Sequence, residues 1–319
     1  MTIWHKGVFG AVAVAGGVLL SGCTIAPDDA GRFREAVPTG ESVALRVPGA
    51  SGAASTSQGL RIQSPTKASA TSDARFYTFT RDLTRAVDRT TGEILGMVWT
   101  LANLTPTTVE AKKATWGPAS STGLEPNEWR FVVTEVATGE YDYTLEGRAK
   151  AGGQFRAILT GKGYGKAHAS HETGWFQVDA DAYRALEPGE TDDEGTTKIT
   201  YDLAHAPSTI AVELRPPTEK GFIDVKVTHA SAGAGQVDIR ALTDVEGSQS
   251  SQLEDVTVAS RWDGSGAGRA DVVMEKGDLP MRVTATECWS ASFSQVFYED
   301  TVSSQPKVGD VSSCAFTAP

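Results

Sequence analysis

Several things are scarce in this chain. Three cysteines in 319 residues are too few for a disulfide-built scaffold. The apolar run from Gly7 to Leu20 is about 14 residues, short of the roughly 20 that a spanning helix needs. Basic residues are outnumbered, 29 Lys and Arg against 40 Asp and Glu, and no basic stripe with interleaved aromatics occurs. That balance keeps a surface soluble and excludes nucleic acid as a partner. Neither G-x-S-x-G nor H-E-x-x-H is found, and no carboxylate pair stands out for acid–base work. The expectation is a non-catalytic protein without a cofactor.

What is present begins with the leader. Residues 1–22 place Lys6 before the apolar run and end in small residues, the pattern of a secretory signal peptide. The run closes on Leu20-Ser21-Gly22-Cys23, which resembles the lipobox of bacterial lipoproteins. That resemblance implies cleavage before Cys23 and a thioether diacylglycerol with an N-acyl chain on it. Several chains together anchor stably where one alone does not. Thr24 stands where an inner-membrane retention signal would show Asp, so the resemblance points to the outer membrane. Loss of the leader removes one Lys and moves the net charge from −11 to −12.

With Cys23 assigned, Cys288 and Cys314 remain in an oxidising compartment, and a disulfide between them is expected. A papain-like Cys288-Trp289 site would need a histidine later in the chain, whereas all five histidines precede Cys288. His168 and His171 are candidate metal ligands on spacing alone, since residues three apart share a helix face. "GKGYGK" before them and "TGW" after them argue for a loop with surface histidines instead. Gly161, Gly163 and Gly165 faintly echo a nucleotide loop, but no parallel sheet is read, and a turn is the expectation. "DDEG" at 192–195 has too few alternating oxygens for an EF-hand and reads as a solvated loop.

Residues 23–72 are rich in Ala, Gly, Ser, Thr and Pro and read as a lipidated flexible tether. Its 49 residues after Cys23 would span roughly 35 to 42 Å as a coil. Within it, "SVALRVP" is the segment able to dock, as an edge strand. Residues 73–319 are expected to form one α+β domain. Helical spacing over 73–89 and 93–104, separated by Gly92, predicts a helix pair. Alternation of period two over about 109–287 predicts a β-meander with a wet and a packed side. The fold class is therefore mainly β: a curved antiparallel sheet or half-barrel of about 10–11 strands packed on the N-terminal helix pair. In the C-terminal segment 288–319, Trp289, Phe293, Phe297 and Tyr298 recur at intervals that suggest a short helix stapled to the sheet end.

The motifs "WGP" at 116–118, "LEGR" at 145–148, "SRWDGSGAGRAD" at 260–271, "TECW" at 286–289 and "CAF" at 314–316 resemble a family of uncharacterised bacterial outer-membrane lipoproteins. The resemblance covers about 110–316 and implies no activity. Architecturally the expected fold is also similar to carrier proteins of the periplasmic lipoprotein-sorting pathway, which hold acyl chains between a curved sheet and helices. Two roles follow as expectations: binding or scaffolding in the cell envelope, with an envelope protein as partner, or carriage of an apolar, lipid-like ligand.

Overall fold

A computed structural model describes residues 30–49, 73–120, 125–188, 194–217, 221–244, 252–302 and 307–318. The expected leader, Cys23 and most of the remaining expected tether lie outside these residues. The structure is mainly β, with strand order following chain order from first to last. The strands are β1 (Thr108–Glu110), β2 (Lys113–Ala119), β3 (Asn127–Ala137), β4 (Glu140–Ala149), β5 (Arg156–Tyr164), β6 (Thr173–Asp179) and β7 (Thr196–Asp202). They continue as β8 (Ser208–Arg215), β9 (Phe222–His229), β10 (Gly235–Thr243), β11 (Glu254–Trp262), β12 (Gly268–Lys276), β13 (Val283–Trp289) and β14 (Gln295–Asp300). Fourteen antiparallel strands replace the expected 10–11. The additional ones are the short β1, β2 around a cis Gly117–Pro118 bond, β6 and β14.

Among the described residues three α-helices accompany them: α1 (Gly31–Arg34), α2 (Arg75–Ala102) and α3 (Ala180–Leu186). The expected helix pair is one continuous helix of 28 residues. Gly92 does not break it. A Cβ on Gly40 would come within 2.9 Å of the Gly92 Cα, so the glycine admits a close backbone neighbour at a propensity cost of about 1 kcal/mol. The expected C-terminal helix is absent as well. Trp289 ends β13, Phe293 sits in a turn at φ 62°, and Phe297 and Tyr298 belong to β14.

The expected single domain 73–319 divides into two compact units. Among the described residues, one comprises those of 44–89 and 201–318; the other comprises those of 30–43 and 90–200. The boundary falls inside α2, after Arg89.

In the unit built on 90–200, β3 buries Asn127, Trp129, Phe131 and Val133 while its alternate residues stay partly exposed. β4 does the same with Tyr141, Tyr143, Leu145 and Gly147. The other face carries charge pairs set by register: Arg130 lies opposite Glu146 and Glu128 opposite Arg148. The expected tether is ordered here, because Ala30, Phe33, Ala36 and Val37 are all buried. Phe33 meets the edge of the Tyr141 ring at 5.8 Å. A Cβ on Gly163 would overlap the Ala36 carbonyl oxygen, and one on Gly161 would overlap the Tyr143 ring. The "GKGYG" glycines thus lie in strand β5 and its exit, not in the expected turn; Gly161 and Gly163 leave room for what packs above them.

In the other unit, β8 to β13 alternate in the same way, with Ile210, Val225, Ile239, Val258 and Val272 among the buried side chains. Residues 44–49 belong to this unit and are likewise packed, with Leu45 and Val47 buried. They dock without becoming a strand. The Leu45 N–H donates to Asp88 Oδ1 at 2.7 Å, and its carbonyl bonds His229 Nε2 at 2.9 Å. Side chains, not a neighbouring strand, satisfy this backbone.

Candidate functional site

The most elaborate cluster lies where three of the sequence motifs meet. β11 and β12 supply "SRWDGSGAGRAD", β13 supplies "TECW", and the chain end supplies "CAF". Cys288 and Cys314 form a disulfide, with Cα atoms 5.3 Å apart. Arg269 is buried beside it, its guanidinium bidentate on Asp271 at 2.7 and 2.8 Å and reaching the Phe316 carbonyl at 3.4 Å. Thr286 Oγ1 also donates to Asp271 at 2.8 Å. Arg261 stands over the Phe316 ring at 5.2 Å and donates to the Thr317 carbonyl. These contacts fasten residues 314–317 to the polar side of β11–β13.

On the apolar side of the same strands, Glu287 is fully buried. Its carboxylate accepts from the Arg75 and Phe76 N–H groups and from Gln295 Nε2 at 2.7 Å. A helix start leaves its first N–H groups unpaired, and a negative charge there is favourable. Burial nevertheless pushes the carboxyl above its ordinary pKa, with the donated hydrogen bonds acting in the opposite direction. Tyr77 stacks on Phe293 at 4.4 Å and leans on Trp289 at 5.6 Å. Trp289 Nε1 donates to the Gly266 carbonyl at 2.9 Å. The chemistry of this cluster is that of a fastener: its charges are directed at partners inside the protein.

A second feature opens on the polar face of β2–β4. A shallow groove of about 190 Å³ is lined by Lys113, Thr115, Arg130, Val132, Thr144 and Glu146. Arg130 pairs with Glu146 at 2.6 Å. Phe155 lies under both Arg130, at 4.0 Å, and Arg148, at 4.4 Å. The groove offers hydroxyls and a lysine to a polar partner. It is not the apolar enclosure that an acyl chain needs.

The histidine candidates separate into local contacts. His168 stacks on Tyr164 at 4.7 Å, takes the Ser170 N–H on Nδ1 at 3.0 Å, and approaches Glu140 at 3.9 Å. His171 reaches Glu172 at 3.7 Å. Among the described residues no three His, Cys, Asp or Glu side chains gather closely enough to hold a metal ion. Of "DDEG", Asp192 and Asp193 lie outside the described residues and Glu194 pairs with Arg184 at 2.6 Å. Asp179 caps α3 through the Ala182 N–H at 2.8 Å, and Asp181 pairs with Arg184. Cys23 lies outside the described residues. Among those described, no helix is long and apolar enough to cross a membrane.

Sequence reasoning had marked Cys288 and Cys314 but passed over Glu287, Asp271 and Asp88. Asp88 and Glu287 carry no local signal because Leu45 and Arg75, their backbone partners, are 43 and 212 residues away, while Asp271 pairs within two residues with Arg269 in a way that any solvated strand face could show. Comparison with protein-family models, curated proteins and solved structures yields no match.

Proposed function

We propose that the chain is an exported lipoprotein, held to the outer membrane by acyl chains on Cys23, with a non-catalytic binding or scaffolding role in the cell envelope. The observation that carries this reading is Leu20-Ser21-Gly22-Cys23 closing a short apolar run. The Cys288–Cys314 disulfide suits an oxidising compartment. The polar groove around Arg130 and Lys113 is the surface offered to an envelope partner. The scaffold reading is preferred to a lipid carrier because the chain's own Phe33, Ala36 and Val37 are buried in one unit and Leu45 and Val47 in the other, where a carrier would keep space for its cargo.

The test is the intact mass of protein taken from its native membrane, with and without reductant. A chain beginning at Cys23, carrying diacylglycerol and fatty acid and gaining two hydrogens on reduction, is expected. An unlipidated chain refutes the anchor. A co-purifying acyl ligand in stoichiometric amount would transfer the argument to the carrier.

A further inference from the structure

The reading of Cys23 as the lipid-bearing residue has a geometric consequence, and the following rests on it. Ala30 and Phe33 are buried, so packed chain is reached within seven residues of the anchor. Seven residues, however arranged, reach at most about 25 Å. The body therefore cannot stand off from the bilayer as a tether to residue 72 would allow.

Ala30 and the residues of α1 lie at a defined end of their unit. Arg32 donates to the Ala111 carbonyl in the β1–β2 turn and pairs with Glu135 at 3.5 Å. The Glu135 N–H bonds the Lys112 carbonyl at 2.8 Å. Arg34 donates to the carbonyls of Ala102 and, at 3.2 Å, Leu104. Helix α1, the β1–β2 turn, the β3–β4 turn and the loop after α2 are thus knitted together. Two of the large exposed apolar side chains lie here, Val136 at 48% and Leu104 at 37% exposure. Lys112, whose carbonyl accepts from Glu135 next to Val136, is exposed too. Apolar tips with a flanking lysine suit a headgroup layer better than open water.

We propose that this end, formed by α1, the β1–β2 and β3–β4 turns and Leu104, rests on the lipid bilayer that carries the Cys23 anchor. The β4–β5 turn lies beyond the 10 residues of β4, roughly 30 Å away along the strand, and faces away from the lipid.

The experiment uses the full lipidated chain in vesicles of phosphatidylethanolamine and phosphatidylglycerol. A photo-crosslinking amino acid replaces either Val136 or Ala151, which is exposed in the β4–β5 turn. Thermal melts of both variants verify the fold, and intact mass verifies the lipid on Cys23. Lipid adducts at position 136 should exceed those at 151 by about tenfold. A Gly/Ser insertion of about 20 residues after Thr24 lengthens the leash by roughly 25 Å and should lower the yield at 136 about fivefold. Equal yields at the two positions, or a yield at 136 indifferent to the insertion, would overturn the inference while leaving the lipoprotein reading intact. A chain without lipid on Cys23 would remove that reading and this inference with it.

Discussion

At the scale of single residues, buried carboxyls fix the energetics. Burial pushes the Asp88 pKa up to about 6, against the smaller opposing effects of the hydrogen bond it receives from the Leu45 N–H and of the Arg46 charge. A raised carboxyl favours the proton in the folded chain. Its contribution to stability is full below the unfolded value near 4 and is lost as pH rises through about 6. A shift of about two pH units corresponds to at most about 3 kcal/mol. Glu287 is displaced in the same direction and adds to the same trend. Asp88→Asn should therefore make urea midpoints less dependent on pH between about 4 and 6; an unchanged dependence would dissociate Asp88 from the effect. Glu287→Ala leaves the N–H groups of Arg75 and Phe76 without the acceptors it supplies, and should cost about 2 to 4 kcal/mol in urea denaturation. Glu287→Gln retains one acceptor and should cost about half as much.

At the scale of elements, the close approach of Ala36 to β5 is the most exacting contact. Gly163→Ala sets a Cβ against a backbone carbonyl, which cannot swing aside as a flexible side chain would. We expect a loss of about 1 to 3 kcal/mol and earlier tryptic cleavage at Arg32 and Arg34. Protection equal to wild type would show that the segment can shift without cost. Reducing the disulfide, or replacing both cysteines by Ser, opens a loop with sequence separation 26 and should cost about 3.5 kcal/mol, read from the urea midpoint. This scale also shows what the sequence made legible. Strands β3, β4 and β8 to β12 were plain because each has one wet and one packed face. β14 was hidden because Trp289, Phe293, Phe297 and Tyr298 are spaced like a helix although they sit on two strands and a turn. Residues 30–41 were hidden by their Ala, Gly and Pro content, whereas the alternate burial of Val43, Leu45 and Val47 showed through as the dockable "SVALRVP". Gly92 read as a break because composition cannot show that Gly40 lies against it. For the site, counting was enough to pair the cysteines, whereas Arg269 and Asp271 gained meaning only once the chain end lay across them.

At the scale of the molecule, anchoring and stability separate. If Cys23 carries the proposed anchor, Cys23→Ser should shift the protein from the membrane to the soluble envelope fraction, while the core that includes Ala30 and Phe33 keeps its contacts and the melting temperature stays unchanged. Retention in the membrane fraction after that substitution would point to attachment by another route. The capping of α2 by Glu287 carries a further consequence, one of timing. The helix begins at Arg75, and its acceptor follows 212 residues later. A contact so distant in sequence is slow to form, because the whole intervening loop must be closed first. For a chain threaded through a secretion channel from its N-terminus, the helix emerges long before its cap. Completion of its first turn waits for β13, and so for nearly the whole polypeptide. Under the proposed export route, premature folding on the near side of the membrane would thereby be disfavoured, and release of the C-terminal end would be the event that permits the fold to close.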